Sequence, residues 1–204
     1  MVKFKNICFL LGFSVLMFSC GETTKKTDGG NKKTVKSTLP APFKKHLKVE
    51  VGPDVIFDVF AWGRGSASSS SVLVLRSDSL KNDFSVASTD NLNGHLEEVF
   101  NTDMDKDSNP EIVIYFAKND KYQTADVLCY EFNGKSVNKI TFPELTSKTQ
   151  KQYRGLDKFY VKGGELYREF NLYADEDSTS KATGKKALKY FLKGNRFDLI
   201  ELEN

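Results

Sequence analysis

Apolar and polar residues alternate one by one along Leu47-Lys48-Val49-Glu50-Val51, the period of a strand with one buried face. Residues 54–62 are nearly continuous in Val, Ile and Phe, and a Gly/Ser stretch over 63–71 separates them from Val72-Leu73-Val74-Leu75. Strand-like runs follow at 97–100, 112–117, 126–132 and 137–142. Two hairpins carry their own turn chemistry. Residues 159–162 turn at Gly163-Gly164 into 166–170, and 188–192 turn at Gly194-Asn195 into 197–200. Gly-Gly and Gly-Asn supply the positive φ angles that two-residue hairpin loops demand. One helical patch is predicted over 144–153, after Pro143. Short strands at near-regular spacing predict a mainly β domain over 46–204, a single antiparallel sandwich or partly closed barrel with one short helix. No internal repeat is present, which excludes a propeller.

Composition sharpens this at the N-terminus. With 28% charged residues and a mean hydropathy of -0.43, the 204-residue chain is not an integral membrane bundle. Lys3 and Lys5 precede twelve residues, 7–18, that are apolar except for Gly12 and Ser14, and Ser19-Cys20 follows. That run is short for a bilayer span but fits a signal-peptide core. Residues 1–19 therefore read as a lipoprotein signal peptide, with Cys20 the lipidated first residue of the mature chain; an ordinary secretory signal or an uncleaved anchor is the alternative. The expected address is the bacterial cell envelope, periplasmic or outer-membrane, with the membrane contacted through the lipid on Cys20.

Residues 20–45 are rich in Lys, Thr and Gly and lack apolar periodicity, so they are expected to form a flexible tether. Seven lysines against Glu22 and Asp28 give this segment +5, and Lys3 and Lys5 add +2; the total of +3 leaves −4 for 46–204. The tether lysines either rest on anionic lipid or keep the segment extended. No aromatics are interleaved with them, so no nucleic-acid partner is expected. With Cys8 and Cys20 outside the folded part, Cys129 has no cysteine to pair with and reads as a small buried hydrophobe.

Two polar segments carry candidate chemistry. In 103–111, Asp103, Asp105, Asp107, Asn109 and Glu111 place oxygens at alternate positions, a pattern able to converge on one calcium ion. Ser108 replaces the glycine of an EF-hand, and the loop is closer to the calcium hairpins of integrin-type repeats. A metal-free turn, with Asp side chains accepting backbone N–H bonds, is the alternative. No other cofactor is expected. Lys118-Asn119-Asp120-Lys121-Tyr122 forms a polar tip between two strands, either a solvated hairpin end or a contact surface anchored by the tyrosine. An enzyme is not expected. Two histidines, three cysteines and one tryptophan are a poor inventory for a metalloenzyme or redox protein, and neither His46 nor His95 has a nucleophile beside it in the sequence.

The succession of a Gly/Ser loop, Val72-Leu73-Val74-Leu75, Asp103-x-Asp105-x-Asp107-x-x-Pro110-Glu111-Ile112-Val113-Ile114, a polar loop ending in Tyr122, and Ala125-Asp126-Val127 resembles the periplasmic inhibitors of invertebrate-type lysozyme. The similarity covers roughly 46–133, and 155–184 looks like an extension found in longer envelope relatives. The resemblance implies a β-sandwich of the bacterial envelope whose polar loops enter and block the cleft of a lysozyme or related glycosidase. The residues it places on those loops are Ser68, Ser69, Ser70, Lys118, Asn119, Asp120, Lys121 and Tyr122. Where the family loop reads Ser-Gly-x-x-Tyr, this chain has Asn119-Asp120 and keeps only Tyr122. A lysozyme cleft is built around paired carboxylates, which lysines and hydroxyls suit and Asp120 does not. The alternative is a calcium-stabilised envelope binding or adhesion module without inhibitory activity.

Overall fold

The apolar run Ile112-Val113-Ile114-Tyr115-Phe116-Ala117, with Glu111 before it, forms a strand in which all seven residues are buried. A strand can be apolar at every position only if both of its faces are covered. In the computed structural model, which describes residues 39–64, 69–174 and 181–202, two further sheets supply that cover. The expected signal peptide 1–19, Cys20, the tether as far as residue 38, and Ser68 lie outside the described residues, as does the Ser69 side chain.

The elements in chain order are β1 (Phe43–Glu50), β2 (Val55–Trp62), β3 (Ser69–Asp78), β4 (Asp83–Asn93), β5 (His95–Thr102), β6 (Glu111–Ala117), β7 (Ala125–Asn133), β8 (Ser136–Ile140), α1 (Ser147–Gln152), β9 (Lys158–Lys162), β10 (Glu165–Tyr173), β11 (Ala182–Leu192) and β12 (Phe197–Leu202). They form three four-stranded antiparallel sheets, ordered β1-β2-β3-β4, β5-β6-β7-β8 and β12-β11-β10-β9. The chain is thus mainly β and sandwich-like with one short helix, and among the described residues no sheet closes into a barrel. A third sheet adds a second core to the single sandwich expected.

The two cores meet on the middle sheet. Ile112, Ile114 and Phe116 of β6, with Leu128, Tyr130 and Phe132 of β7, face Phe57, Val59, Val72 and Val74 of the first sheet. Val113, Tyr115 and Cys129 face the other way, onto Phe159, Leu166, Phe170, Leu188 and Tyr190. Cys129 is fully buried, as expected, and burial pushes its thiol well above the usual range.

Both sequence-predicted hairpins form. Lys162 pairs with Glu165 around Gly163 and Gly164, at φ 61° and 83°. The Lys193 N–H donates to the Arg196 carbonyl at 2.9 Å around Gly194-Asn195. The helix is shorter than the predicted 144–153; Thr146 caps it, its Oγ1 accepting the Thr149 N–H. At the other end of the domain, β1 begins at Phe43, three residues inside the expected tether. Phe43 pairs with Trp62 and packs on Phe60, and Lys45 Nζ donates to the carbonyls of Leu96 and Glu97 at 2.7 and 2.9 Å. Backbone pairing and a bound ammonium thus hold residues that composition alone assigned to the tether.

If β6 carries both cores, Ile114→Ala should lower unfolding free energy by roughly 2–5 kcal/mol. The same change at Ile200, which is 50% exposed, should cost less than about 1 kcal/mol in the same urea titration.

Candidate functional site

The two polar segments singled out in the sequence occupy opposite ends of β6. The acidic loop closes the β5–β6 hairpin at Glu111, and the polar tip leaves from Ala117. Seven residues of strand hold them about 20 Å apart.

The tip is a built structure. Lys118 N–H donates to the Thr124 carbonyl at 2.9 Å, and Gln123 N–H to the Asp120 carbonyl at 3.2 Å. Inside this turn Asp120 Oδ1 accepts the N–H groups of Tyr122 and Thr124, both at 3.0 Å, while Oδ2 accepts the Thr124 hydroxyl. Desolvation opposes the charge on Asp120, but the donors of Thr124 and Tyr122, with Lys118 nearby, outweigh it and hold the carboxyl below the usual range. Asp120 thus stays ionised on the exposed tip while its oxygens hold the loop backbone in place.

A second segment braces the tip from behind. Gly155, at φ 69°, lies so close that a Cβ there would stand 2.0 Å from the Tyr122 carbonyl oxygen. Arg154 Nη1 donates to the carbonyls of Lys151 and Tyr153, and its guanidinium lies 5.3 Å from the centre of the Tyr122 ring. Lys121 Nζ approaches the same ring at 5.2 Å. Leu156 follows at φ 57° and is 67% exposed, a left-handed conformation costly for a residue with a Cβ. Asp120, Lys121, Tyr122, Gln123, Arg154, Leu156 and Tyr173 line a cleft of about 400 Å³.

The brace is itself locked by a buried polar network. Tyr153 Oη accepts the Ala125 N–H at 2.8 Å and donates to Asp157, whose other oxygen accepts from Arg168 Nε at 2.6 Å. The Arg168 guanidinium lies 5.1–5.4 Å from the ring centres of Tyr153, Phe159 and Phe170. Burial, with the Asp157 charge adding to it, pushes the Tyr153 phenol above its ordinary range. Beside this network a cavity of about 510 Å³ opens between Lys118, Asp126, Glu144 and Gln150.

The start of β3, at Ser69 and Ser70, shares one end of the fold with the tip. Ser69 pairs with Asn93, Gly94 turns into His95, and His95 pairs with Ala117. Ser70, however, is 3% exposed and lies in a cleft with Lys44, Lys45, His95 and Glu97, so it offers a partner almost no surface. Both histidines are held by carboxylates: His46 Nε2 lies 2.7 Å from Asp58, and His95 Nε2 lies 2.9 Å from Glu97.

At the acidic end, the five expected ligands do not form one set. Carboxylate oxygens of Asp103, Asp105 and Glu111 all lie within 4.8 Å of one another, and those of Asp105, Asp107 and Glu131 form a second group. Asn109 donates its backbone N–H and its Nδ2 to Asp107 at 2.7 and 2.6 Å, which turns its amide nitrogen toward that carboxylate. Glu111 is fully buried. Its Oε2 accepts the Thr102 hydroxyl at 2.7 Å and the Met104 N–H at 3.1 Å, while Oε1 has no partner. Burial drives its carboxyl above the usual range; the two donors pull it back, and the charges of Asp105 and Asp103 push it further up. Burying an unsatisfied polar atom costs about 1–3 kcal/mol, more when it is charged.

Sequence reading missed Glu131, hidden as one acid in the apolar run of β7, and the bracing residues Arg154, Gly155 and Leu156. The only sequence signal at the brace was a glycine three residues beyond the end of the helix. No protein-family model, characterised protein or solved structure matches the chain.

Asp120→Ala should leave the global fold intact while increasing hydrogen exchange of the Tyr122 and Thr124 amides at least tenfold. In the wild type the same loosening should set in as pH falls. A carboxyl whose folded pKa is depressed stabilises the loop above its ordinary value of 3.8, and that stabilisation is lost on titrating through the lower folded value.

Proposed function

We propose that the domain is a non-catalytic binding module of the cell envelope, tethered through Cys20. It inserts the 118–124 tip into an acidic cleft of the lysozyme or glycosidase kind and blocks it. The observation that carries this reading is the preformed tip: an aromatic ring flanked by Lys121 and Arg154, on a backbone fixed by Asp120 and pressed against Gly155. A rigid loop loses little entropy on docking, and an aromatic next to cations is the kind of residue on which interface energy concentrates. A cleft lined with paired carboxylates offers the matching charge. The departure at Asn119-Asp120 leaves an ionised, exposed carboxylate on the tip, so Lys118, Lys121 and Arg154 carry the charge complementarity while Asp120 contributes by holding the loop backbone.

The purified protein should slow invertebrate-type lysozyme near stoichiometric ratios. Tyr122→Ala should weaken inhibition by tenfold or more, with an unchanged circular-dichroism spectrum. Lys121→Glu should weaken it most at low ionic strength, and added salt should weaken the wild type and narrow the difference between the two. Full lysozyme activity at a hundredfold excess of the protein would end this reading.

A further inference from the structure

We propose that Asp103, Asp105 and Glu111 form a binding site for one divalent cation of the calcium class, with Glu111 as its buried ligand. The proposal is independent of the cleft-blocking reading and concerns the opposite end of β6.

Glu111 is the observation that points to a ligand. It is the first residue of β6, it is fully buried, and one of its two carboxylate oxygens has neither a donor nor solvent. Its other oxygen is satisfied by Thr102 and Met104, which fixes the carboxyl plane. Asp103 and Asp105 bring oxygens within 4.8 Å of a Glu111 oxygen and of each other. Two oxygens on opposite sides of a calcium ion, each bonded at about 2.4 Å, are about 4.8 Å apart, so this spread is one that a single such ion can bridge. Among the described residues no lysine or arginine forms an ion pair with any of the three acids.

The donor chemistry selects the class. All three ligands are hard carboxylate oxygens without a histidine or thiolate, which disfavours zinc and copper. Two of the three are exposed on a loop, leaving the remaining positions to water in a loose geometry that suits calcium better than strictly octahedral magnesium. Asp107 belongs to the second group and is engaged by Asn109, so it is not assigned to the ion. The cation would tie the end of β5, the loop and the first residue of β6 together, and its occupancy should therefore show in the stability of the whole domain.

The test uses the full chain stripped with EDTA and titrated with calcium chloride by calorimetry, with thermal melts alongside. One saturable site is expected, with a Tm increase of roughly 5–10 °C at about a hundredfold excess over Kd. Asp105→Asn should abolish both the heat and the shift while melting near wild type in EDTA. Glu111→Gln should weaken calcium at least tenfold, and Asp107→Asn should change it less than threefold. Identical melts with EDTA and with millimolar calcium, calcium binding that survives Glu111→Gln, or magnesium binding as tightly as calcium would each overturn the proposal.

Discussion

The middle sheet must be covered on both faces, and everything else in the domain follows from that. A strand such as β6, buried at every position, would expose an apolar ladder if either flanking sheet were missing. Its side chains are divided by parity: Ile112, Ile114 and Phe116 belong to one core, Val113, Tyr115 and Ala117 to the other. A one-residue slip in its pairing would exchange the two sets. Isoleucine and phenylalanine would then face a core packed around tyrosines and Arg168, and the register is accordingly held from both sides.

The two cores are built from different chemistry. The first is mainly aliphatic with Phe57 edge-on to Phe132 at 4.9 Å. The second is aromatic and encloses the Tyr153–Asp157–Arg168 network, including an ion pair whose side chains are almost wholly removed from water. A buried ion pair is a poor source of net stability, since desolvation offsets most of the attraction. Its consequence here is positional. By fixing Tyr153 it fixes the Ala125 N–H, and by fixing the 153–156 segment it sets Gly155 against the Tyr122 carbonyl. The tip owes its shape to a core on the far side of the middle sheet.

What could be read in the sequence divides along the same physical line. Strands with one or two apolar faces, and turns needing left-handed glycine, announced themselves because period and turn chemistry are local. β4 did not, because its pattern is inverted. Its buried positions are Ser85, Ala87 and, at its far end, Leu92, while Phe84 and Val86 point outward, 67% and 48% exposed. Ser85 is paired across the ladder with Arg76, whose buried partner Asp78 is held in its charged form by the Lys81 N–H and by Arg76 itself. Small and polar residues suffice there because long-range pairing, not an apolar stripe, defines the strand. The candidate sites were legible in the same partial way. Tyr122 and the acids of 103–111 stood out as residues, but Asp120 as a loop clamp, the sorting of the acids into two groups, and the isolation of Glu111 Oε1 all depend on contacts between distant segments.

The placement of those two sites has one further physical consequence. A cationic, aromatic tip and a cluster of carboxylates at opposite ends of a strand about 20 Å long are separated by more than two Debye lengths at physiological ionic strength. Exposed charge at one end is therefore screened from the other, and any influence must pass mechanically through β6. That strand is packed on both faces against close-fitting side chains, an environment of low compressibility that transmits strain. Charge added or removed at the acidic loop thus bears on whether the domain stays folded, through the strand both cores share. The shape presented at the tip is set where the second core meets it, by Asp120 and by Gly155 of the 153–156 segment. The two ends of β6 are thus electrostatically separate but mechanically joined by the strand both cores share.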